Sequence, residues 1–333
     1  MEDLKGSTVV ITGASSGIGL HTAKQLHSRG ATVIMTCRDE VKGRKSLAEI
    51  ITANGNDVQR AHLYTLNLAS YQSVHDFANE IIRDFDHLDV LINNAGIMGH
   101  EYELSEDGIE MHYATNAFGH HILSLRLLPL LLKSVWARGP RIINVTSGFY
   151  RKVDRKISAK ELRGEKFYNY KHQMAYAQSK LAVCNHTVAL DRLLKVKGVP
   201  VKIHAVRPGF VRGTDLGRES HWLLRLLAAP IIWFFSKSLD QGIATIVDLV
   251  SVNNTEVEGG LLYYEGKPEP FNTDTVNVNE ARDTWAIFMD LEQKIWESRT
   301  FLLPEATKAL GREARQFLPE SLWSRVHDES FSV

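Results

Sequence analysis

The sequence predicts an α/β fold: one doubly wound domain with a parallel sheet of about seven strands and helices on both faces. Short apolar, β-branched runs alternate with amphipathic helical patterns from the start of the chain to about residue 250. Many of these runs are apolar at consecutive positions, as in parallel strands that are covered on both faces. No linker rich in Pro, Gly or Ser interrupts the alternation, so we assign it to a single large domain.

Six strands and the helices between them can be placed in chain order. The predicted strands cover residues 7–12, 31–36, 61–66, 88–92, 141–146 and 201–206. The first predicted helix follows a glycine-rich turn and ends near Gly30, and the later ones cover 39–54, 71–85, part of 111–133, and about 174–197. Parallel strands joined in this way by helices form a sheet that is covered on both sides.

A second, smaller region follows the α/β domain. We predict that residues 1–268 form that domain and that residues 269–333 are a helical C-terminal extension packed on it. Within the extension, residues 279–297 have helical spacing. Their predicted packing face carries Trp285, Phe288, Leu291 and Trp296. For residues 300–333, a tail that binds a partner is the alternative.

The composition excludes several classes of protein. With 44% apolar residues and few Gly and Pro, the 333-residue chain is unlike a disordered or fibrous protein. The 39 Lys and Arg balance the 39 Asp and Glu, so the sequence has no charge footprint for nucleic acid. Cys37 and Cys184 form neither a disulfide framework nor a C-x-x-C zinc motif, which is typical of a reducing compartment.

The sequence also bears on location and on metals. Its charged start is unlike a signal peptide, and no run of about 18 apolar residues could cross a membrane. We therefore predict a cytoplasmic protein, with peripheral contact on an intracellular membrane as an open alternative. The 14 histidines show no metal-ligand spacing, so we expect no metal site. For the adjacent His120 and His121 we expect surface or packing roles.

A glycine-rich segment, TGASSGIG at residues 12–19, lies between the first predicted strand and the first helix. Gly13, Gly17 and Gly19 let the backbone turn sharply and approach a pyrophosphate closely. The helix that follows presents free N–H groups and a positive dipole end to phosphates. Such turns also serve tight strand–helix packing, but this position in a βαβ unit favours binding of a dinucleotide.

The end of the second predicted strand indicates which dinucleotide. An acidic residue there would accept hydrogen bonds from a ribose 2′-hydroxyl, whereas a cation would pair with a 2′-phosphate. Cys37 takes the acidic position and Arg38 follows it, so the sequence favours NADP(H) over NAD(H). Lys42 and Arg44 add positive charge nearby, while a surface arginine without a ligand is the alternative for Arg38.

Tyr176 and Lys180 lie four residues apart on a predicted helix and hence on one face. A free tyrosine has a pKa of about 10 and is a poor base at neutral pH. A nearby ammonium group favours the phenolate and lowers that pKa toward the working range of a general acid/base. Alone, this pair occurs on many exposed helices, so its meaning depends on the other motifs.

Together these motifs resemble those of the short-chain dehydrogenase/reductase family, over about residues 5–265. They occur in the family's order: TGASSGIG, Asn-Asn-Ala-Gly at 93–96, Asn116, Ser147, Tyr176 with Lys180, and Pro-Gly at 208–209. The segments TCRD and YAQSKL are similar to the retinol dehydrogenase branch, which includes the dehydrogenase domain of WW-domain oxidoreductases. The resemblance implies a Rossmann-type domain that interconverts alcohols and carbonyls by hydride transfer.

The resemblance implies four catalytic roles. Tyr176 would be the general acid/base, and Lys180 would hold the nicotinamide ribose and lower the pKa of the tyrosine. Ser147 would hydrogen-bond the substrate oxygen. Asn116 would position a water that links Lys180 to solvent. Taken alone, Ser147 is also compatible with a turn serine and Asn116 with an amide inside a helix.

Cofactor contacts are implied in the same way. They fall on Gly13, Ser15, Ser16, Gly17, Ile18, Gly19, Arg38, Asn67, Leu68, Asn94, Ala95, Gly96, Tyr176, Lys180, Val211 and Thr214. Two positions depart from the family pattern. Asn67 replaces the usual Asp, although its amide oxygen still accepts hydrogen bonds. The loop that carries Thr214 is one residue longer than the pattern requires.

The substrate region, residues 212–240, contains a largely apolar stretch at 222–235. We interpret it as a lid over a lipophilic alcohol or carbonyl such as a retinoid, a steroid or an aliphatic aldehyde. A core or dimer helix is the first alternative, and weak attachment to a membrane surface through Trp233 and Phe235 is the second. The resemblance implies a homodimer through the two long helices.

Two functions of different class remain. The first is an NADP(H)-dependent oxidoreductase, which the joint presence of Ser147, Tyr176 and Lys180 favours. The second is a non-catalytic relative that binds the dinucleotide and acts through protein partners. A protein that only binds has no need of the acid/base residue.

Overall fold

The computed structural model describes residues 3–55, 57–162, 170–209, 211 and 237–300. The strands are β1 Thr8–Ile11, β2 Thr32–Cys37, β3 Ala61–Thr65, β4 Val90–Asn93, β5 Arg141–Val145, β6 Lys202–Val206, β7 Leu262–Tyr264 and β8 Lys267–Glu269. The helices are α1 Gly17–Ser28, α2 Glu40–Ala53, α3 Tyr71–Asp84, α4 Met111–Tyr113, α5 Gly119–Leu132, α6 Ala159–Leu162, α7 His172–Val196, α8 Leu239–Ser251 and α9 Val278–Thr300. A π-helical turn, Ala114–Phe118, joins α4 to α5, and a 3₁₀ turn, Gly148–Lys152, follows β5.

The strands form one sheet in the order β3-β2-β1-β4-β5-β6-β7-β8. All neighbouring pairs are parallel except the last, β7 with β8. The predicted doubly wound α/β fold is therefore confirmed, with β8 as an antiparallel addition to the predicted parallel strands. Only three residues long and containing Pro268, β8 has no apolar run from which the sequence could have predicted it.

β1 and β4 lie side by side and parallel, and the order in which successive strands are added to the sheet reverses between them. In doubly wound sheets, the crevice beyond the carboxyl ends of the two strands at such a point is where ligands bind. The glycine-rich segment follows β1, and the Asn-Asn-Ala-Gly segment begins at the end of β4. The topology therefore brings these two motifs to one crevice.

Helix starts follow local sequence rules. Asp39 caps α2 by accepting a hydrogen bond from the backbone N–H of Lys42, and Ser70 caps α3 in the same way. Ser238 and Gln241 form a reciprocal capping box at the start of α8. These caps set where the chain turns into α2 after β2, into α3 after β3, and into α8 before β7.

The core lies on both faces of the sheet, because successive strand residues point to opposite sides. Val9 and Ile11 pack with α1, α2 and α8, whereas Val10 packs on the other face with α3, α5, α7 and α9. No helix in the described ranges is long and apolar enough to cross a membrane.

Helix α9, from the region predicted as a C-terminal extension, packs along α7. Trp285 and Phe288 are buried there, and both contact His121 of α5 at ring-centroid distances of 5.0 and 5.1 Å. Residues 301–333, and with them the rest of the predicted extension, lie outside the described residues, as does most of the predicted lid.

Candidate active site

Two loops meet at the carboxyl edge of β1 and β4. Gly13 has a φ of +65°, a conformation that favours glycine. A Cβ at Gly13 would lie 2.8 Å from the Cα of Ala95, so only glycine allows the two loops to approach this closely. Asn94 donates its side-chain N–H to the carbonyl oxygen of Thr12 at 2.8 Å, which fixes the turn.

The start of α1 has the features of an anion site. Ser16 occupies the N-cap position in an extended conformation, but its side chain makes no capping hydrogen bond. The first turn contains no acidic residue. The N–H groups of Gly17, Ile18 and Gly19, at the start of the helix, have no helical carbonyl to donate to. This end of α1 therefore fits the pyrophosphate of a dinucleotide.

The end of β2 would face the adenosine ribose. Cys37 is buried, and its thiol donates a hydrogen bond to the carbonyl oxygen of Asp39 at 3.1 Å. Burial raises the pKa of the Cys37 thiol, which keeps it neutral. Arg38 is exposed and forms no hydrogen bond or ion pair with another described residue. Its guanidinium is thus placed to meet a ligand from solvent.

The loop after β3 forms the other side of the adenosine region. The side-chain oxygen of Asn67 accepts a hydrogen bond from the main-chain N–H of Ala69 at 3.2 Å, and the main-chain N–H of Asn67 donates to the Ser73 hydroxyl at 2.9 Å. One lone pair of that oxygen is left for a ligand. Leu68 is buried beside Gly119, where an added Cβ would overlap the carbonyl oxygen of Leu68.

Beyond β5, two hydroxyl groups lie near each other. Ser147 caps the 3₁₀ turn by accepting a hydrogen bond from the N–H of Phe149 at 3.4 Å. Its side chain also lies near the Tyr176 hydroxyl, where hydrogen bonding from Ser147 lowers the pKa of Tyr176. Tyr176 is only 4% exposed and packs edge-on against the Phe149 ring at 5.8 Å. The two hydroxyls can therefore meet the same substrate oxygen.

Lys180 lies one helical turn after Tyr176 and below its ring. Its Nζ donates a hydrogen bond to the carbonyl oxygen of Val145 at 2.9 Å and lies 6.0 Å from the ring centroid of Tyr176. Burial lowers the pKa of Lys180 to about 8. Burial also raises the pKa of Tyr176, and the hydrogen bond from Ser147 acts in the opposite direction. The side chains of Tyr176 and Lys180 are thus both enclosed in protein.

Asn116 sits in the π-helical turn, a helix irregularity frequent at functional sites. Its side chain accepts the N–H of Ile97 at 2.8 Å and donates to the Ile97 carbonyl at 3.0 Å and to the Ser179 hydroxyl at 2.9 Å. A Cβ at Gly96 would lie 3.2 Å from Oδ1 of Asn116 and 3.3 Å from Nζ of Lys180. Gly96 therefore leaves these two groups a shared space.

The structure brings the predicted site residues to one edge of the sheet, apart from Thr214, which lies outside the described residues. Val211 is buried and forms a bridge with Lys237. Within the described ranges, no group of three or more His, Cys, Asp or Glu could hold a metal ion. The roles assigned to individual residues remain predictions.

Sequence reasoning missed two features of this edge. His120 and His121 are both buried, so of the expected surface or packing roles only packing agrees with the structure. His120 lies between Thr12 and Asn116, and its spacing of four from Asn116 was the signal available in the sequence. The second feature is a chain of buried amides. It runs from Ser124 through Asn93 and Asn144 to Thr187, across two central strands.

Comparison with known proteins agrees with this geometry. The family model for short chain dehydrogenase matches residues 7–155. The chain is 37% identical to human Retinol dehydrogenase 11, covering 86% of each protein, and 35% identical to mouse Polyprenol dehydrogenase, covering 87% of this chain and 82% of the relative.

Solved structures give the same result for the fold. A crystal structure of an uncharacterized protein from Mycobacterium paratuberculosis aligns with a TM-score of 0.68 and 30% identity, over 88% of this chain and 96% of that one. A short chain dehydrogenase from Salmonella enterica aligns with a TM-score of 0.57 and 22% identity, over 79% and 97%.

Proposed function

The chain belongs to the short-chain dehydrogenase/reductase family, in its retinol dehydrogenase-like branch, and we propose that it interconverts a lipophilic alcohol and its carbonyl with NADP(H). One observation carries the proposal. Ser147, Tyr176 and Lys180 lie at the same sheet edge as the glycine-rich loop, with Nζ of Lys180 6.0 Å from the centroid of the Tyr176 ring. An acid/base group next to a dinucleotide site is what reversible hydride transfer at a carbinol carbon requires.

The residues that would hold the cofactor surround the crevice between β1 and β4. The N–H groups at the start of α1 would bind the pyrophosphate, and Arg38 would pair with the 2′-phosphate of NADP(H). Lys180 would hold the nicotinamide ribose. When bound, the nicotinamide supplies or accepts the hydride.

The acid/base step belongs to Tyr176. During alcohol oxidation its oxygen takes the hydroxyl proton, and during carbonyl reduction it returns that proton to the carbonyl oxygen. The Ser147 hydroxyl donates a hydrogen bond to the same oxygen and stabilises the charge that develops there. The Lys180 ammonium, when protonated, favours the phenolate of Tyr176.

The names of the relatives support a substrate class. The names of two similar proteins contain retinol and polyprenol, which are both isoprenoid chains ending in a primary alcohol. We propose such an alcohol or its aldehyde as the first substrate to test, ahead of steroids and simple aliphatic aldehydes. The cytoplasmic location and the membrane-surface contact remain predictions for this chain. The homodimer through the two long helices is implied by the resemblance alone, and the packing of α9 along α7 argues against it.

The test of activity follows loss of NADPH absorbance with purified protein and a panel of retinal, isoprenoid aldehydes, aliphatic aldehydes and steroid ketones. We expect turnover that falls about a thousandfold in Tyr176→Phe, because general acid catalysis contributes about 10²–10⁴. Binding of NADPH should be retained in that variant. Tyr64→Phe, which removes a hydroxyl bonded to Asp84, is the matched control and should keep full activity.

Two outcomes would contradict the activity. Tight NADPH binding without turnover on any panel member would favour the non-catalytic alternative. Equal turnover in the wild type and in Tyr176→Phe would remove the tyrosine from the chemistry.

The choice of cofactor has a separate test at Arg38. Arg38→Ala should weaken NADPH binding at least about tenfold, because a charged hydrogen bond to the 2′-phosphate is lost, and leave NADH binding unchanged. Arg83→Ala is the control, since Arg83 pairs with Asp84 at the C-terminal end of α3. Tighter binding of NADH than of NADPH by the wild type would contradict the proposal.

A further inference from the structure

His120 joins the two parts of the site from inside the core. It is the second residue of α5 and is only 4% exposed. Its Nε2 lies 2.8 Å from the hydroxyl oxygen of Thr12, and its Nδ1 lies 3.1 Å from the main-chain carbonyl oxygen of Asn116. One imidazole therefore touches the turn that begins the glycine-rich segment and the turn that carries Asn116.

The hydrogen bonds around Thr12 determine which ring nitrogen carries the proton. The Thr12 oxygen accepts the N–H groups of Asn94 at 2.9 Å and Ala95 at 3.0 Å, which occupies both of its lone pairs. Its single proton must therefore be donated, and Nε2 of His120 at 2.8 Å is a nearer acceptor than the carbonyl of Ile92 at 3.4 Å. Since Nε2 accepts a hydrogen bond, the ring proton is on Nδ1, which donates a hydrogen bond to the main-chain carbonyl oxygen of Asn116.

This imidazole stays neutral. Burial lowers the pKa of His120 to about 3, and the positive charge of Lys180 acts in the same direction. A proton on Nε2 would also face the Thr12 oxygen, which has no lone pair left to accept it. At neutral pH the hydrogen bonds therefore run in one direction, from the Thr12 hydroxyl to Nε2 of His120 and from Nδ1 of His120 to the main-chain carbonyl of Asn116.

Each end of the chain supports a different step. At the Thr12 end, the hydroxyl holds Asn94 and Ala95, which are packed against Gly13 of the nucleotide loop. At the Asn116 end, the amide side chain faces Gly96 and the Nζ of Lys180. The first contact positions groups that bind the cofactor, and the second positions groups around the acid/base pair.

We propose that His120 is a positioning residue that couples the nucleotide-binding turn at Thr12 to the π-helical turn at Asn116 in the proposed NADP(H)-dependent reaction. The expected effects on NADPH binding and kcat rest on the proposed function. The tautomer and the two hydrogen bonds are properties of the unliganded protein.

Two half-isosteres of histidine separate the two contacts. In His120→Asn, the side-chain amide nitrogen replaces Nδ1 and keeps the bond to Asn116, while the acceptor for Thr12 is lost. In His120→Gln, the amide oxygen replaces Nε2 and keeps the bond from Thr12, while the donor to Asn116 is lost. We expect His120→Asn to weaken NADPH binding about tenfold with little change in kcat at saturating cofactor.

For His120→Gln we expect the reverse pattern: an unchanged Kd for NADPH, a kcat lowered about tenfold and a shifted pH profile of kcat. His121→Gln is the matched control, because His121 is equally buried on the same helix but makes no hydrogen bond to a described residue. Its stability can change, but its Kd and kcat should not.

Equal effects of the two His120 variants on both Kd and kcat would overturn the proposal, because a residue that only fills the core would behave in that way. Unchanged values in both variants would overturn it as well. Nitrogen-15 NMR of the histidine rings measures the tautomer of His120 without any need for turnover. We expect a neutral ring protonated on Nδ1, and a ring protonated on Nε2 would exclude the chain even if no substrate were found.

Discussion

Burial shifts the pKa values of Tyr176 and Lys180, the proposed acid/base pair, in opposite directions. It raises the pKa of Tyr176 and lowers that of Lys180, so in both cases the protein interior disfavours the charged form. The Ser147 hydroxyl partly offsets this for Tyr176, and the carbonyl oxygen of Val145 holds the Lys180 ammonium. A positive nicotinamide would further favour the phenolate. The buried Lys180 ammonium therefore lowers the free energy of unfolding of the unliganded protein, and this effect can be measured without substrate.

We predict that this effect appears in the pH dependence of unfolding. Below pH 8, Lys180 is protonated in both states, and its buried charge destabilises the fold. Between about pH 8 and its usual pKa of 10.5, the unfolded chain binds the proton and the folded protein does not, so the free energy of unfolding rises with pH. Urea unfolding should show Lys180→Met more stable than wild type at pH 7 by up to about 3 kcal/mol.

That advantage should shrink toward pH 10, where the wild type no longer carries the buried charge. Lys160→Met, at an exposed lysine, is the control and should follow the wild type throughout. An equal pH slope in the wild type and in Lys180→Met would show that the lysine is not the group responsible.

At the level of the elements, the sequence predicts β1 to β6 and the long helices between them because their signals are local, whereas α8, β7 and β8 were not placed. Alternation of apolar runs and helical spacing placed β1 to β6 to within about two residues, and the glycine-rich segment located the crevice. The partners of buried polar groups could not be predicted in this way. Nothing local connects His120 with Thr12, which lies more than a hundred residues earlier in the chain.

The packing of α2 on β2 shows how a local motif depends on a distant contact. The position at the end of the second strand drew attention to Cys37 as a replacement for an acidic residue, and the structure adds a steric reason for Gly43 in α2. A Cβ at Gly43 in α2 would overlap Sγ of Cys37, with the Leu63 side chain next nearest at 3.0 Å. Gly43 and Cys37 therefore fit as a pair.

We predict that Gly43→Ala lowers the free energy of unfolding by about 1–3 kcal/mol, because the added methyl group overpacks this contact. Cys37→Ala removes the obstructing sulfur, so the double variant should be more stable than the sum of the single effects predicts. Urea unfolding of the four proteins gives this coupling. Additive effects would mean that the strain comes from elsewhere, and Gly148→Ala is the control because its Cβ would meet no atom closer than 3.9 Å.

At the scale of the whole molecule, α9 covers part of the surface through which a dimer would form. The resemblance implies a dimer through two long helices, which in this chain are α5 and α7. Phe288 of α9 packs on Phe118 at 5.7 Å, and Trp285 stacks on His186 of α7 at 5.9 Å. The sequence predicted α9 and its packing face but not the surface that it covers. A dimer through α5 and α7 would therefore require α9 to leave its place.

We predict that the wild-type protein is monomeric through this face, with a mass of 37.5 kDa by light scattering at micromolar concentration. Phe288→Glu places a charge in the buried contact, lifts α9 and exposes the apolar surface of α5 and α7, so its mass should rise with concentration. Gln293→Glu, on the exposed side of α9, should stay monomeric. The opposite result would be a wild-type mass of twice 37.5 kDa and a Phe288→Glu mass of 37.5 kDa. It would place α9 inside a dimer interface, because only then would the charge separate the subunits.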